Sequence, residues 1–441
     1  MKKLFLLFLV FATLIAVNLS AQELFSLDWD FDTLFDEPPP EEETPADTAP
    51  AAATPASTAP VTTVLDSIRR RGFIFDASYM FRLGFNPYYE EYPWDSDFIS
   101  NVELEPYILM RNTFGIDAQI SDVFRVKSTL SFEIPYFIIT LGDFFFDYNI
   151  ADTVFLRGGK YNLAWGLASN FNFTDLLARL PPSGKGHRGQ SFILKADIPI
   201  GVGGLQFLTM SRYNFLTTAP ANINLSWGDF GYGGKFTLAL READFDFGIF
   251  YQKDMPFRSF LSIKTTLWDI EFFNEYLLAV DVNNSSNVSG AFSFGFIKTF
   301  FDGKLDLNAE LFYNGESGSY MYNPETELWT NTITPFVSGL NLSINLLYRP
   351  SWEMGNPRLF MRLLYAPMQQ SAQLIPGILL TPWPNIEFYA AMPMALGSKE
   401  GYYYKNTGIT DPDDPDKMIL RPFSVVFMVT LNGSFRFAHN F

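Results

Sequence analysis

From residue 72 to the end of the chain, hydrophobic and polar residues alternate with a period of two. The run KLDLNAEL at residues 304–311 is the clearest case, and NLSINL at residues 341–346 repeats the pattern. A period of two places alternate side chains on opposite faces of a β-strand. The sequence therefore predicts eighteen strands, with sixteen as the alternative. They centre on residues 73–84, 103–119, 122–133, 136–148, 153–166, 190–199, 203–214, 229–241, 244–254, 257–268, 269–281, 290–300, 303–314, 336–348, 357–367, 371–382, 385–396 and 422–438.

The connections between these predicted strands alternate in length along the chain. One set is short, as at Trp268-Asp269, whereas most of the other set is long, as at residues 315–335 and 397–421. Short turns at one rim and long loops at the other are typical of an outer-membrane barrel. A barrel in lipid must also close, because an open edge leaves backbone groups unpaired. The sequence thus predicts an all-β protein, a transmembrane antiparallel β-barrel of about 18 strands over residues 72–441.

Composition supports this fold class and excludes several others. Apolar residues make up 48% of the chain and charged residues 18%, yet no run of 18 apolar residues follows the N-terminus, which argues against a bundle of membrane helices. The net charge of −17 disfavours nucleic acid as a partner. There is no cysteine and there are only two histidines, His187 and His439. We therefore expect no disulfide, no metal site and no cofactor.

The first 71 residues divide into three segments of different composition. Residues 1–21 combine two lysines with a short apolar run and a terminal alanine, the pattern of a secretory signal peptide. Residues 22–60 are acidic and rich in Pro, Ala and Thr, which predicts a disordered periplasmic extension. Residues 61–71 have one apolar face and end in three arginines and Gly72, which predicts a short helix.

One stretch of the extension has a pattern of its own. In residues 25–31, FSLDWDF, aromatic and aliphatic residues alternate with Ser26, Asp28 and Asp30. Extended, this stretch has one apolar and one acidic edge, so it could add to a sheet edge or dock a partner. The alternative is a disordered acidic tail.

The last strand carries the most specific motif. In residues 423–441, apolar and aromatic residues share one parity, and the chain ends Phe437, His439, Phe441 at every second position. A terminal Phe with such residues two and four places earlier resembles the C-terminal signature of bacterial outer-membrane β-barrel proteins. The resemblance implies that the barrel assembly machinery reads this strand. With the last strand ending in the periplasm, both termini lie there and the long loops lie outside.

Charged residues fall on the parity that faces away from lipid. The third to eighth strands carry basic candidates for the lumen: Arg125, Lys127, Lys160, Lys195, Arg212 and Lys235. The eleventh and thirteenth strands carry acidic candidates: Glu271, Glu275, Asp306 and Glu310. A basic arc facing an acidic arc would set a transverse field across a water-filled lumen. The alternative is that these charges pair with one another inside the lumen.

The loop after the fifth strand, residues 167–189, combines apolar and charged residues. Apolar side chains such as Phe171 and Phe173 indicate that it packs against the barrel wall rather than extending into water. It resembles the constriction loop of general porins, which follows the fifth strand and folds inward, and residues 157–166 resemble a strand of several substrate-selective porins. The resemblance implies a constriction built from Asp175, Arg179, Lys185, His187 and Arg188. A surface-packed loop is the alternative.

These features together favour a porin-like passive diffusion channel for small polar solutes across a bacterial outer membrane. A transporter of hydrophobic solutes, or an adhesin or structural anchor acting through tyrosine-rich external loops, are the alternatives. Neither histidine is placed for barrel hydrolase chemistry, so we expect no enzyme. The partners expected are outer-membrane lipid, the barrel assembly machinery and small polar solutes, and the sequence leaves both a monomer and a homo-oligomer open.

Overall fold

The computed structural model describes most of the chain beyond residue 71. The described residues are 72–89, 92, 102–135, 137–161, 163, 165–167, 171, 191–211, 227–253, 256–282, 288–315, 321–323, 328–330, 339–351, 355–405, 408–410 and 418–440. The predicted signal peptide, extension and short helix lie outside these residues.

Eighteen strands form one sheet in the described part of the chain. They are β1 Gly72–Tyr89, β2 Val102–Ser121, β3 Phe124–Ile134, β4 Ile138–Ile150, β5 Val154–Tyr161, β6 Ser191–Ile200, β7 Gly203–Ser211, β8 Phe230–Leu240, β9 Ala243–Gln252, β10 Phe257–Leu267, β11 Ile270–Val280, β12 Val288–Phe300, β13 Leu305–Asn314, β14 Gly339–Tyr348, β15 Arg358–Ala366, β16 Ser371–Trp383, β17 Ile386–Ala391 with Met394–Gly397, and β18 Phe423–Ser424 with Val426–Asn440.

Each strand pairs antiparallel with its neighbours in sequence, and the last strand pairs with the first. Gly72 of β1 lies opposite Asn440 of β18, and Phe85 lies opposite Phe427. This pairing closes the sheet into a barrel, as lipid requires of a spanning sheet. The prediction of a closed, eighteen-stranded antiparallel barrel is confirmed.

Several strands differ in length from the segments predicted for them, as β1 does by running to Tyr89, and two of the differences have a clear cause. The fifth was expected over residues 153–166 but ends at Tyr161, because the chain then leaves the sheet and Trp165 is buried inside the barrel with 1% of its surface exposed. The seventeenth is interrupted at Met392-Pro393, where proline has no N–H to donate to a ladder.

The two rims of the barrel differ in their connections. We call the rim that holds Gly72 and Asn440 the terminal rim and the opposite one the far rim. Short turns at the terminal rim include Trp268-Asp269, whose two residues have φ of 54° and 55°, the left-handed pair of a tight hairpin. The expected sorting of the connections by length has two exceptions. Nine residues join β14 to β15 at the terminal rim, whereas only three residues join β3 to β4 at the far rim.

Side chains alternate between the two faces of the wall, as the period of two predicts. In β4, Phe144 and Phe146 are 48% and 38% exposed on the outer face, whereas Phe145 between them is 7% exposed on the inner face. The outer face is thus rich in exposed aromatic and aliphatic residues, which suits contact with lipid. The inner face carries the polar and charged residues.

Among the described residues, regular structure outside the barrel wall is limited to short elements. Two 3₁₀ turns, Trp227–Asp229 and Pro367–Gln369, and one helical turn, Tyr402–Lys405, lie at the far rim. Two small hairpins, Met321–Asn323 with Leu328–Thr330 and Gly408–Thr410 with Met418–Leu420, belong to the connections of the same rim. None of the helices among the described residues has the length and apolar character needed to cross a membrane.

Candidate pore and its inward segment

The predicted basic residues of the lumen have carboxylates beside them. Four of the six form ion pairs on the same or the adjoining strand. The pairs are Arg125 with Asp117 (Nε–Oδ1 2.7 Å), Lys127 with Asp143 (3.9 Å), Lys195 with Asp197 (2.7 Å) and Lys235 with Asp246 (2.9 Å). The arc that we expected to be basic therefore contains acids as well, because each of these four cations has a carboxylate beside it. Pairing within the lumen, the alternative interpretation, describes these four residues better.

The other two basic candidates differ from these four. Lys160 lies opposite Phe144, but φ at the preceding Gly159 is 139°, which breaks the alternation of β5. The Lys160 side chain is 6% exposed, and its ammonium donates to the Leu141 carbonyl. Arg212 lies outside the described residues.

A further basic group on the same wall was missed in the sequence. Arg157 of β5 donates to both oxygens of Asp147 in β4, at 2.6 and 3.0 Å. Its guanidinium also lies over the rings of Phe145, at 4.4 Å, and Tyr161, at 5.6 Å. A bidentate hydrogen bond to a carboxylate, together with cation–π contacts to two rings, holds a guanidinium in one orientation. The sequence did contain a signal for this residue. Arg157 has the same strand parity as Phe155 and Gly159, which places it on the inner face of β5.

A second missed pair lies two strands away. Arg111 of β2 donates from Nε to Glu133 of β3 at 2.6 Å, and the two residues are directly opposite in the ladder. Side chains of both residues are partly exposed, at 31% and 19%. Such a pair contributes at most about 1 kcal/mol to stability, so its main effect is on the charge pattern of the lumen.

The four acidic candidates fall into two groups. Glu271 and Asp306 have basic partners, Lys264 at 2.8 Å and Arg349, near the terminal rim. Glu275 of β11 and Glu310 of β13 are 0% and 1% exposed instead, at mid-height of the wall. They accept hydrogen bonds from serine hydroxyls of neighbouring strands. These are Ser262 Oγ to Glu275 at 3.0 Å and Ser293 Oγ to Glu310 at 3.2 Å.

The same two carboxylates hold the chain that follows β5. We call residues 163, 165–167 and 171 the inward segment. The backbone N–H of Leu167 donates to Glu275 Oε1 at 2.5 Å, and that of Phe171 donates to Glu310 Oε1 at 3.3 Å. A carboxylate suits backbone N–H groups that have left a sheet and have no ladder partner.

Aromatic contacts add to these hydrogen bonds. Trp165 packs on Phe260 of β10 with ring centroids 5.5 Å apart, and its Nε1 donates to Gln206 of β7 at 2.7 Å. Phe171 stacks on Phe312 of β13, with centroids 5.0 Å apart and the planes 16° from parallel. Phe171 is 3% and Phe312 0% exposed. The inward segment is therefore packed against the wall by both its ends.

The strands that the segment touches show where it runs inside the barrel. It leaves the wall at the end of β5 and contacts β7, β10, β11 and β13. These strands form one side of the ring of eighteen, so the segment lies on the inner face of that side. A chain that lies inside the barrel over this arc narrows the passage at the level of Glu310.

Glycine on the wall makes room for the aromatic cluster under the segment. Gly248 of β9 lies opposite Phe260, and a Cβ at this position would come within 2.1 Å of the Phe260 ring. Phe260 lies flat over this glycine and carries Trp165 on its other side. The absence of a side chain at residue 248 thus sets how closely the inward segment approaches the wall.

A second element packs against the barrel wall nearer the far rim. The helical turn Tyr402–Lys405 caps β16, because the N–H of Tyr403 donates to Ser371 Oγ at 3.1 Å and that of Tyr402 donates to Gln369 Oε1 at 2.9 Å. Tyr403 and Tyr404 are 6% and 5% exposed. Burial raises the pKa of the Tyr403 phenol above its ordinary value. These two tyrosines belong to the connection 397–421, one of the tyrosine-rich loops of the adhesin alternative, and both are buried.

The candidate constriction residues Asp175, Arg179, Lys185, His187 and Arg188 all lie outside the described residues.

In the assembly motif, Phe437 is 48% exposed and lies opposite Phe75, and His439 lies opposite Phe73. Phe441 is outside the described residues.

Comparison with known proteins gives similarity in structure only. No family model and no curated protein matches the chain. Among solved structures, OccK11 (OpdR) of Pseudomonas aeruginosa is similar with a TM-score of 0.52 and 9% identity, over 83% of this chain and 98% of that one. OpdO of the same organism has a TM-score of 0.51 and 10% identity, over 82% of this chain and 97% of that one.

These similar structures are outer-membrane porins, and the barrel reproduces their architecture over nearly their full length. At identities of 9% and 10% the likeness concerns the fold and not individual residues. The prediction of a porin-like outer-membrane β-barrel is confirmed at that level.

Proposed function

We propose that this protein is a passive diffusion channel for small polar solutes across the outer membrane of a bacterium. The observation that carries the proposal is the inward segment, which is anchored inside a polar lumen by Glu275 and Glu310. A barrel that served only as an anchor for external loops would not need a chain held in its interior. A porin needs one, because a wide barrel discriminates poorly between solutes until it is narrowed.

The charged residues of the inner wall support the proposal that the transported solutes are polar rather than apolar. Ion pairs such as Arg125–Asp117 and Arg157–Asp147 lie on the inward face, partly exposed to the lumen. Fixed charges of both signs attract polar and charged solutes through water and disfavour an apolar one, which would have to displace their hydration. Apolar side chains of the described lumen are mostly covered, in the cluster around Trp165 and Phe312.

The constriction itself belongs to the loop that continues from the inward segment. We place Asp175, Arg179, Lys185, His187 and Arg188 at its rim, because the chain enters the loop from within the lumen at Phe171. Charges there act across few water layers and low-dielectric walls, so they set ion selectivity more strongly than charges at a wide mouth. Asp175 is then the acidic member of a mainly basic ring.

The N-terminal segments and the last strand fit an outer-membrane location. Residues 1–21 direct export, residues 22–60 lie in the periplasm as an unfolded extension, and residues 61–71 form a short helix before the barrel. Both ends of the barrel lie at the terminal rim, which we assign to the periplasm. Phe437, His439 and Phe441 are then presented to the barrel assembly machinery, and the barrel works singly or as a homo-oligomer.

The experiment is single-channel conductance of the refolded full chain in a planar bilayer, with ion selectivity from the reversal potential in a salt gradient. We expect discrete steps of conductance. A correctly refolded barrel that inserts and conducts nothing would contradict the proposal and favour an anchor.

The constriction is tested with a matched pair of deletions. Removing residues 170–186 should raise the conductance, whereas removing residues 40–56, a deletion of the same length from the extension, should leave it unchanged. Lys185→Glu together with Arg188→Glu should shift selectivity toward cations. Unchanged conductance after the first deletion would place the loop outside the pore.

A further inference from the structure

The end of the last strand has a neighbouring strand on one side only, within the part of the chain that the structure describes. β17 begins at Ile386 opposite Leu431, and the N–H of Asn432 donates to the Asn385 carbonyl at 2.9 Å. On its other side, β18 stays paired with β1 down to Asn440 opposite Gly72. Residues 433–438 therefore form an open edge at the terminal rim.

A cavity marks the point where this edge begins. It has a volume of about 320 Å³ and opens between the turn before β17 and the strands β18, β1 and β2. Its polar lining comes from Ser78, Arg111, Thr113, Asn385, Asn432 and Ser434. The cavity lies at the end of the open edge that is farther from the terminal rim. A strand added to this edge would therefore end in a cavity with a polar lining.

The two faces of the open edge differ in character. Phe435 and Phe437 are 61% and 48% exposed on the outer face of the barrel. Ser434 and Arg436 occupy the inner parity, where the Arg436 side chain is 60% exposed and lies 3.5 Å from Asp76. An exposed edge with aromatic residues is a template for another strand, and next to lipid its unpaired backbone groups are costly.

We propose that residues 25–31 of this chain, FSLDWDF, add to the open edge as a β-strand. Their pattern matches the edge on both faces. Leu27 and Trp29 share one parity and would lie beside Phe435 and Phe437, while Asp28 and Asp30 share the other and would lie beside Arg436. Cross-strand aromatic pairs and opposite charges each stabilise such a ladder. A strand added to an edge gains affinity from main-chain hydrogen bonds and specificity from alternate side chains.

The length of chain between the two partners permits the contact. The connecting residues 32–71 end at Gly72, which lies opposite Asn440 at the lower end of the same edge. A flexible chain of about 40 residues has an end-to-end distance of ~35 Å. The open edge spans ~20 Å at the usual rise per residue of a strand. The segment is therefore tethered within reach, at an effective concentration in the millimolar range.

Disulfide formation tests this contact, since the chain has no cysteine of its own. Trp29→Cys with Phe435→Cys places both thiols on the outer parity, and Trp29→Cys with Ser434→Cys places them on opposite parities. Ala52→Cys with Phe435→Cys is the tether control, because residue 52 is nearer than residue 29 to Gly72 along the chain. Mild oxidation of the refolded full chain is followed on non-reducing gels.

We expect the outer-parity pair to form an intramolecular disulfide at least tenfold faster than the tether control and the opposite-parity pair. Equal rates for the three pairs, or disulfides formed between copies of the chain, would overturn the proposal. The second outcome would assign the edge to another molecule instead.

A deletion gives an independent measurement that needs no substitution in the barrel. Removal of residues 22–36 should increase amide hydrogen exchange across residues 433–438 at least tenfold, while exchange in β11 stays unchanged. Unaltered exchange at the edge would also overturn the proposal. Neither experiment measures conductance, so this inference and the proposed channel function can fail separately.

Discussion

The backbone N–H of Leu167 lies 2.5 Å from Oε1 of Glu275, although 108 residues separate them in sequence. Leu167 belongs to the chain that has just left β5, and Glu275 is fully buried in β11, on a distant part of the ring. This bond and its counterpart between Phe171 and Glu310 turn a connection that could have lain outside into a bar along the inside of the wall.

Removing both carboxylates should release this bar. Hydrogen bonds to charged groups contribute ~1.5–3 kcal/mol each, so Glu275→Ala with Glu310→Ala should give larger and noisier single-channel steps than the parent. The variant Glu275→Gln with Glu310→Gln keeps the hydrogen-bond acceptor but not the charge. Its conductance should lie between those of the parent and the double Ala variant. Glu271→Ala is the control, since Glu271 lies on the same strand and pairs with Lys264 instead. Equal conductance in all four proteins would show that the bar is held by other contacts.

Phe312 should matter more to conductance than an equally large ring on the outer face. Phe312→Ala removes the stacking partner of Phe171, and loss of a buried phenylalanine costs about 3–5 kcal/mol. We expect higher conductance and increased proteolysis of the loop that follows. The matched control is Phe292→Ala, because Phe292 stacks on Tyr313 at 5.7 Å and is 38% exposed outside the barrel. A larger effect from the control would contradict the assignment.

Loss of the Arg157 charge should make the channel more selective for cations. Arg157→Gln leaves Asp147 without its bidentate partner, so the lumen becomes more negative at that level. The reversal potential in a salt gradient should move toward the value expected for a channel that passes only cations. Lys298→Gln changes the charge equally, but Lys298 bonds to turn carbonyls at the terminal rim, 3.0 Å away, and should have little effect.

Adding one methyl group at Gly248 should disturb the inward segment. The Cβ of Gly248→Ala would lie 2.1 Å from the Phe260 ring, whereas that of Gly234→Ala would have its nearest neighbour at 3.5 Å. Overpacking of this kind costs about 1–3 kcal/mol. We expect the first variant to unfold at a lower temperature on heated gels and the second to resemble the parent. Equal midpoints would mean that Phe260 moves aside without strain.

Phe441→Asp should impair assembly rather than the stability of a barrel that is already inserted. In the proposed assembly role, the aromatic residue acts when the last strand is recognised, before the barrel closes. The yield in the outer membrane should fall while the molecules that do insert keep their heat resistance. Phe301→Asp is the control, because Phe301 is 69% exposed in a turn with φ of 55°, which aspartate tolerates. Normal yield of Phe441→Asp would contradict the assembly role.

The sequence by itself determined the barrel, because in such a fold the local pattern and the global structure coincide. A period of two, as in residues 304–311, specifies the strand and its inner and outer faces together. Paired left-handed residues at Trp268-Asp269 join adjacent strands in the predicted way. Closure followed from lipid, which tolerates no unpaired edge along the span.

Only the tertiary structure decided how the lumen is organised. Strand parity predicts that Arg125 and Glu275 face inward, but which neighbour each one meets depends on register and on distance around the ring. Register places Asp117 opposite Lys127, from where it bonds the diagonal neighbour Arg125, so an arc expected to be basic from the cations alone contains acids as well. The role of Glu275 depends on a backbone group 108 residues away, which no local pattern encodes. Contacts across a closed barrel join residues far apart in the chain, and they appear only once the ring has formed.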